Sequence, residues 1–309
     1  MGEKRLAAFD IGGTSIKLAF LTTEGEIIRK WSIPTDRTDN GSRIVTDIAR
    51  SFYKELEIDG LTTANVLAAG VGAPGPADPI EGTISGAVNI GWPNGYPLKK
   101  LLEEAIELPV FIENDANCAA LGEMWKGAGS GATDVVCVTL GTGVGGGVVS
   151  KGMIITGVNG SAGEIGHITV MPENGFYCNC GKHGCLETVA SATGIVNLYK
   201  QQGKDAPDAR TVFQHAAAGD KAAQYAIDRC AFYLGLAIGN IANIVNPAKI
   251  VVGGGVSEAG ETLLKPLKEY VGHFTFPRAM DVLTIEKAQL GNDAGVIGAA
   301  YLAKVMSVS

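Results

Sequence analysis

Ala8-Phe9-Asp10-Ile11-Gly12-Gly13-Thr14 and Cys137-Val138-Thr139-Leu140-Gly141-Thr142-Gly143 follow one plan. In each stretch an apolar run with strand character enters a Gly/Thr turn. A second apolar run leaves it, and the two copies end near Gly25 and Gly152. The copies lie about 130 residues apart, far longer than a solenoid repeat, so the duplication predicts two similar domains. No flexible linker separates the halves, which implies two packed lobes with a central cleft. The expected division is residues 1–117 with 295–309 as a smaller lobe and 118–294 as a larger one.

Outward from the first turn, Ile16–Leu21 and Ile27–Ile33 continue as strands of a meander. Ile44, Val45, Ile48, Phe52 and Leu56 fall on one face of a helix over Ser42–Glu55. Val66–Val71 is an apolar strand entering Gly72-Ala73-Pro74-Gly75-Pro76, and Pro97–Ala105 reads as a short helix. Val110–Ile112 and Asp115–Trp125 read as strand and helix. After the second turn the pattern becomes helical from Val189, with Lys221–Ile244 the longest periodic segment. Lys249–Val252 is a strand entering Gly253-Gly254-Gly255, and Ala294–Val305 closes as a helix. The class is α/β.

Composition narrows the function. A net charge of −7 disfavours nucleic acid as a partner. No apolar run reaches bilayer length, and Leu6–Phe9 is too short for a signal segment, so a cytoplasmic protein without a membrane partner is expected. Three of the six cysteines, Cys118, Cys137 and Cys230, sit alone in apolar patterns and read as buried thiols of a reducing compartment.

Glycine-rich turns bind phosphate because backbone N–H groups converge without side-chain obstruction. The first turn offers Asp10, Gly12, Gly13 and Thr14, whose carboxylate suits a water-bridged Mg²⁺; the second offers Gly141, Thr142 and Gly143. Lys17, just beyond the first turn, reads equally as a surface residue. Neither turn is a P-loop. Gly141, Gly143 and Gly146 formally spell the dinucleotide fingerprint, but strand and turn residues follow where that motif needs a helix. Gly254 and Gly255 fit the adenosine side of a nucleotide. The duplicated strand–Gly/Thr–strand pattern resembles the actin-like (ribonuclease H-like) ATPase fold, in which two repeated lobes clamp ATP.

Cys178, Cys180 and Cys185 lie downstream of His167, and His183 stands between them. Three thiolates and one imidazole complete a tetrahedral zinc shell, and a closed shell of this kind is structural. Spacing alone leaves His167 and His183 as competing ligands.

Gly163-Glu164-Ile165-Gly166-His167, followed by Cys178-x-Cys180-Gly181-x-x-Gly184-Cys185-Leu186-Glu187, resembles the signature of the ROK family of bacterial sugar kinases and related repressors. The likeness spans essentially the whole chain. It implies ATP-dependent phosphorylation of the 6-hydroxyl of glucose or a close relative, with ATP and Mg²⁺ as donor and structural Zn²⁺. It also implies His167 as the fourth zinc ligand, with its other ring nitrogen offered to the sugar. By the same resemblance Asp115 is the general base, and Asn89, Asn114, Glu164, His167, Glu187 and the backbone near Gly75 surround the sugar. Residue type alone would equally make Asp115 a helix N-cap, Asn89 a turn residue, and Glu164 and Glu187 surface charges. Trp92 and Trp125 read as packing residues. A homodimer or larger assembly is implied. A repressor would carry a helix-turn-helix segment before the first strand, which here begins within a few residues of Met1. A non-catalytic scaffold would not need the sugar constellation. Kinases for N-acetylmannosamine, N-acetylglucosamine, fructose or mannose are the enzymatic alternatives. A polyphosphate donor would call for a long basic tract, which the chain lacks.

Overall fold

Apolar periodicity and turn chemistry put the elements they predict within a few residues of the expected limits. The computed structural model describes residues 4–87 and 89–307. In chain order it begins with β1 (Arg5–Ile11), β2 (Ser15–Leu21), β3 (Ile27–Pro34), α1 (Ile44–Ile58), β4 (Val66–Ala73), β5 (Ala77–Asp78) and β6 (Thr83–Ile84). Next come α2 (Leu98–Ile106), β7 (Val110–Asn114), α3 (Asp115–Lys126), β8 (Val135–Leu140), β9 (Val144–Ser150) and β10 (Met153–Ile154). The chain then runs through α4 (Glu187–Ala190), α5 (Ala192–Gln201), α6 (Ala209–Ala217), α7 (Lys221–Val245) and β11 (Lys249–Gly253). It ends with α8 (Glu261–Phe274), α9 (Pro277–Met280), β12 (Thr284–Lys287) and α10 (Ala294–Met306).

Two compact units form, one from residues 4–131, 152–162 and 292–307 and the other from 132–151 and 163–291. The first unit therefore runs past 117, because α3 packs along α10. A side chain on Gly298 of α10 would collide with the carbonyl of Cys118, so the two helices approach at backbone distance.

In the first unit the sheet order is β3-β2-β1-β4-β7. β1, β2 and β3 form an antiparallel meander, while β1, β4 and β7 run parallel. Phe9, Phe20 and Phe52 pack edge-on beneath this sheet, with centroids 6.1 Å and 5.7 Å from Phe52. Each such buried ring contributes roughly 1.5–3 kcal/mol. In the second unit β9-β8-β11-β12 repeat the order of β2-β1-β4-β7. The duplication holds in register. Asp10 lies opposite Lys17 and Gly72, and Thr139 lies opposite Gly145 and Gly253. The hairpin loops differ by one residue, since Ile11 pairs with Ile16 but Leu140 with Val144. The core of the second unit lies between its sheet and α5, α7 and α8, and the paired α7 and α8 bury Leu234, Ile238, Leu267 and Val271.

Candidate functional site

In an open α/β sheet the carboxyl ends of parallel strands collect the functional groups. In the first unit β1 carries Asp10 near its end and runs into the first glycine turn, β4 ends beside Gly75, and β7 delivers Asn114 and Asp115. Asn114, not Asp115, is the N-cap of α3. Its side-chain oxygen accepts from the N–H groups of Ala116 (2.9 Å) and Asn117 (3.3 Å). Its amide donates to the Gly75 carbonyl at 3.0 Å, so two of the expected sugar residues are joined. Gly75 holds φ +93°, and a Cβ there would strike the Ser85 carbonyl. Asp115 stands exposed at the first helical position, one oxygen accepting from Ala116 N–H at 2.8 Å.

Behind this corner Glu113 is buried. Its Oε1 accepts from Asn114 N–H at 2.8 Å and from the Asn117 amide at 2.9 Å. Burial raises its pKa, and these two donors oppose the shift. The Cys118 thiol, fully buried, is pushed up by burial and then by the charges of Glu113, Asp10 and Asp115, so three carboxylates converge on this corner. Asp10 pairs with Lys17 at 3.1 Å, a partnership that the strand pattern alone did not reveal. Asn89 lies against the first turn, since a Cβ on Gly13 would sit 3.8 Å from the Asn89 Cβ. Trp92 is buried and stacked on Tyr96 at 4.4 Å, a packing role.

In the second unit the Gly141–Gly143 turn is closed by Gly141 N–H donating to the Gly143 carbonyl at 3.0 Å. The N-terminus of α5 holds it from outside, where Ala192 N–H donates to the Gly141 carbonyl and Thr193 Oγ1 to that of Thr142. A cavity of about 580 Å³ opens beside the turn, lined by Gly141, Thr142, Gly255, Arg210, Phe213 and Glu258 among others. Gly254 forms the bend that brings β11 to this wall, its backbone against that of Leu140. Nothing in the order of residues points to the α6 wall. Asp208 reads as an ordinary cap, and it accepts from Thr211 N–H at 2.8 Å.

Glu164, His167 and Glu187 come together. His167 Nε2 is 4.0 Å from a Glu164 oxygen, and its Nδ1 is 3.8 Å from a Glu187 oxygen. A Cβ on Gly143 would lie 2.6 Å from the other Glu187 oxygen, which places Glu187 over the second glycine turn.

The ligand atoms of His167, Cys178, Cys180 and Cys185 all lie within 4.8 Å of one another. Cys180 and Cys185 sulfurs are 3.6 Å apart, and Cys178 sulfur is 3.5 Å from His167 Nδ1. Those separations are far too long for a disulfide, and they match the edges of a tetrahedron with metal–sulfur bonds of about 2.3 Å. The donor set therefore fits Zn²⁺. His183 is outside the cluster and packs edge-on to Tyr177 at 5.4 Å. Without a cation, burial and then the Glu187 carboxylate raise the Cys178 thiol, whereas the Lys182 N–H and then Cys178 lower that of Cys180. Coordination would make all three thiolates.

Two units built on one duplicated strand order, each carrying a Gly/Thr hairpin, define the actin-like (ribonuclease H-like) ATPase fold. The model of the ROK family matches residues 6–306. Over 318 residues the chain is 52% identical to a glucokinase of Halalkalibacterium halodurans, covering 98% of this chain and 96% of that one. Its structure matches the ROK hexokinase from Thermus thermophilus with a TM-score of 0.85 at 32% identity, over 98% of both chains. It also matches a ROK glucokinase from Streptomyces griseus in complex with glucose and AMPPNP, with a TM-score of 0.74 at 35% identity, over 96% of this chain and 98% of that one. The chain belongs to the ROK family.

Proposed function

We propose that this protein transfers the γ-phosphoryl group of ATP to the 6-hydroxyl of glucose. The observation that carries the reading is the exposed carboxylate of Asp115. It stands at the end of β7 beside the Asn114–Gly75 link, on a helix that another residue caps. Phosphoryl transfer to an alcohol needs positioning, charge neutralisation and an acceptor for the hydroxyl proton. Asp115 is assigned that acceptor role, and the 52% identity to a glucokinase supports the substrate. Asp115 needs no neutral-range pKa, because the hydroxyl proton is lost as the phosphoryl group departs.

Asn89, Asn114, Glu164, His167, Glu187 and the Gly75 backbone are assigned to the sugar hydroxyls. Asp10, Gly12, Gly13 and Thr14, with Gly141, Thr142 and Gly143, are assigned to the phosphates and Mg²⁺, and Gly254 and Gly255 to the adenosine. Zinc on His167, Cys178, Cys180 and Cys185 would supply no chemistry. It would fix the His167 ring and the loop that reaches Glu187. None of the six cysteines forms a disulfide, which supports a cytoplasmic setting. None of the described helices is long and apolar enough to cross a membrane. Ile244 and Phe276, 82% and 64% exposed, support a homodimer.

A coupled assay of ADP release across glucose, mannose, fructose, N-acetylglucosamine and N-acetylmannosamine tests the reading. The highest kcat/KM is expected with glucose. A higher value with an N-acetylhexosamine would reassign the substrate.

A further inference from the structure

The segment after β3 carries features that the sugar and nucleotide assignments leave unused. Thr35 ties it to the first glycine turn, its N–H donating to the Thr14 carbonyl at 3.1 Å and its hydroxyl to that of Gly12 at 2.6 Å. Asp39 and Asn40 then adopt left-handed φ values of 49° and 55° in succession. Asp and Asn adopt that region more readily than other non-glycine residues, and two in succession give the segment a sharp irregular bend. The segment walls an open, mainly polar pocket of about 590 Å³, lined by Thr35, Asp36, Arg37, Thr38, Asn40 and Asn89 among others.

The charges in this pocket are unequal in availability. Asp36 is engaged. It accepts from Thr38 N–H (3.0 Å) and the Thr38 hydroxyl (2.6 Å), lies 3.9 Å from Arg43, and has its pKa lowered chiefly by the Thr38 hydroxyl. Asp39 does not line the pocket. Arg37 is exposed and makes no ion pair among the described residues. The Thr35 and Thr38 hydroxyl protons are spent on Gly12 and Asp36, which leaves the Arg37 guanidinium and the Asn89 amide as the donors this pocket offers an oxyanion. Guanidinium binds phosphate through two parallel N–H bonds. Thr35, which lines the pocket, is bonded to the first glycine turn, and Asn89 lines the pocket beside it.

We infer that Arg37 and this pocket hold the phosphate group of the sugar-phosphate product, so that the ester is bound more tightly than the free sugar. The inference rests on the sugar-kinase reading above and adds a residue to it. Glucose carries no charge for Arg37 to meet, so its binding should be indifferent to this residue.

The test compares the whole protein with Arg37→Ala and Arg37→Lys. Wild-type turnover of glucose is measured first, so a failure of the kinase reading shows there and not at Arg37. Calorimetry then gives the affinities for glucose and for glucose 6-phosphate. Loss of one charge-assisted contact to phosphate should weaken the ester by about tenfold in Arg37→Ala. Arg37→Lys should recover part of the loss, with glucose affinity unchanged throughout. The assignment is overturned if wild-type protein does not bind the ester more tightly than glucose. It is equally overturned if Arg37→Ala leaves the ester unaffected, or weakens both ligands alike.

Discussion

The side-chain amide of Asn114 donates to the Gly75 carbonyl at 3.0 Å, while its oxygen caps α3. One residue thus fixes the helix to the turn after β4 and spares Asp115 that duty. Asp115→Asn should preserve the fold and glucose affinity, because neither the cap nor the Gly75 link is touched. Removing a proton acceptor should lower kcat by roughly 100-fold or more. Turnover and glucose affinity measured on the same preparation check this, and near wild-type turnover removes Asp115 as the base. Asn114→Ala, in contrast, should cost about 1 kcal/mol of stability through the lost cap.

This corner also shows what sequence could and could not tell. The strand-to-helix junction at Asn114-Asp115 was legible because the apolar run Val110–Ile112 stops shortly before helical spacing begins. Which of the two residues caps was not, since both are good caps and the choice depends on the Gly75 contact from a distant strand. The duplicated sheet was readable from two Gly/Thr turns, and the registers of Asp10 and Thr139 match. The boundary at 117 was not readable, because α3 belongs with α10 through packing between distant residues. The α6 wall of the cavity beside Gly141 was hidden for the same reason. Arg210 and Phe213 meet Gly141 only after the chain has folded.

Removing the cation should separate sugar from nucleotide. His167 and Glu187 are tied to the cysteine cluster, whereas Gly255 and the α6 wall line a cavity without any cluster residue. Chelation, or Cys180→Ser, should therefore raise the KM for glucose several-fold while the KM for ATP changes little. Zinc content by atomic absorption, followed beside both KM values, checks the prediction. An unchanged glucose KM in the zinc-free protein contradicts the ordering role.

Gly295 on the first turn of α10 faces Asp10, and a Cβ there would lie 2.8 Å from the Asp10 carboxyl carbon. Alanine at a helical glycine normally stabilises by roughly 1 kcal/mol. Here the clash should win and shift the Asp10 carboxylate, which sits beside Lys17 at 3.1 Å. Gly295→Ala should therefore lower kcat and raise the Mg²⁺ concentration needed for half-maximal rate, with glucose affinity unaltered. A Mg²⁺ titration of the rate reads this directly. An unmoved Mg²⁺ requirement means that Asp10 tolerates the methyl group.

Glu113 gives a pH signature of its own. Burial raises its folded pKa above the ordinary 4.5, so the native state holds this proton more tightly than the unfolded chain. The stability it contributes is present in full below the unfolded pKa and is lost as pH rises through the folded value. The neutral acid also suits its surroundings, because the Asn117 side-chain oxygen is buried without a partner among the described residues and an O–H could donate to it. Glu113→Gln keeps an acceptor for Asn114 N–H and the Asn117 amide, adds a donor, and carries no charge to desolvate. Its Tm should equal or slightly exceed wild type near pH 4, and the advantage should widen towards neutral pH. Thermal unfolding at several pH values between 4 and 7.5 decides the matter, since a constant difference would mean that Glu113 does not titrate with a raised pKa in the folded state.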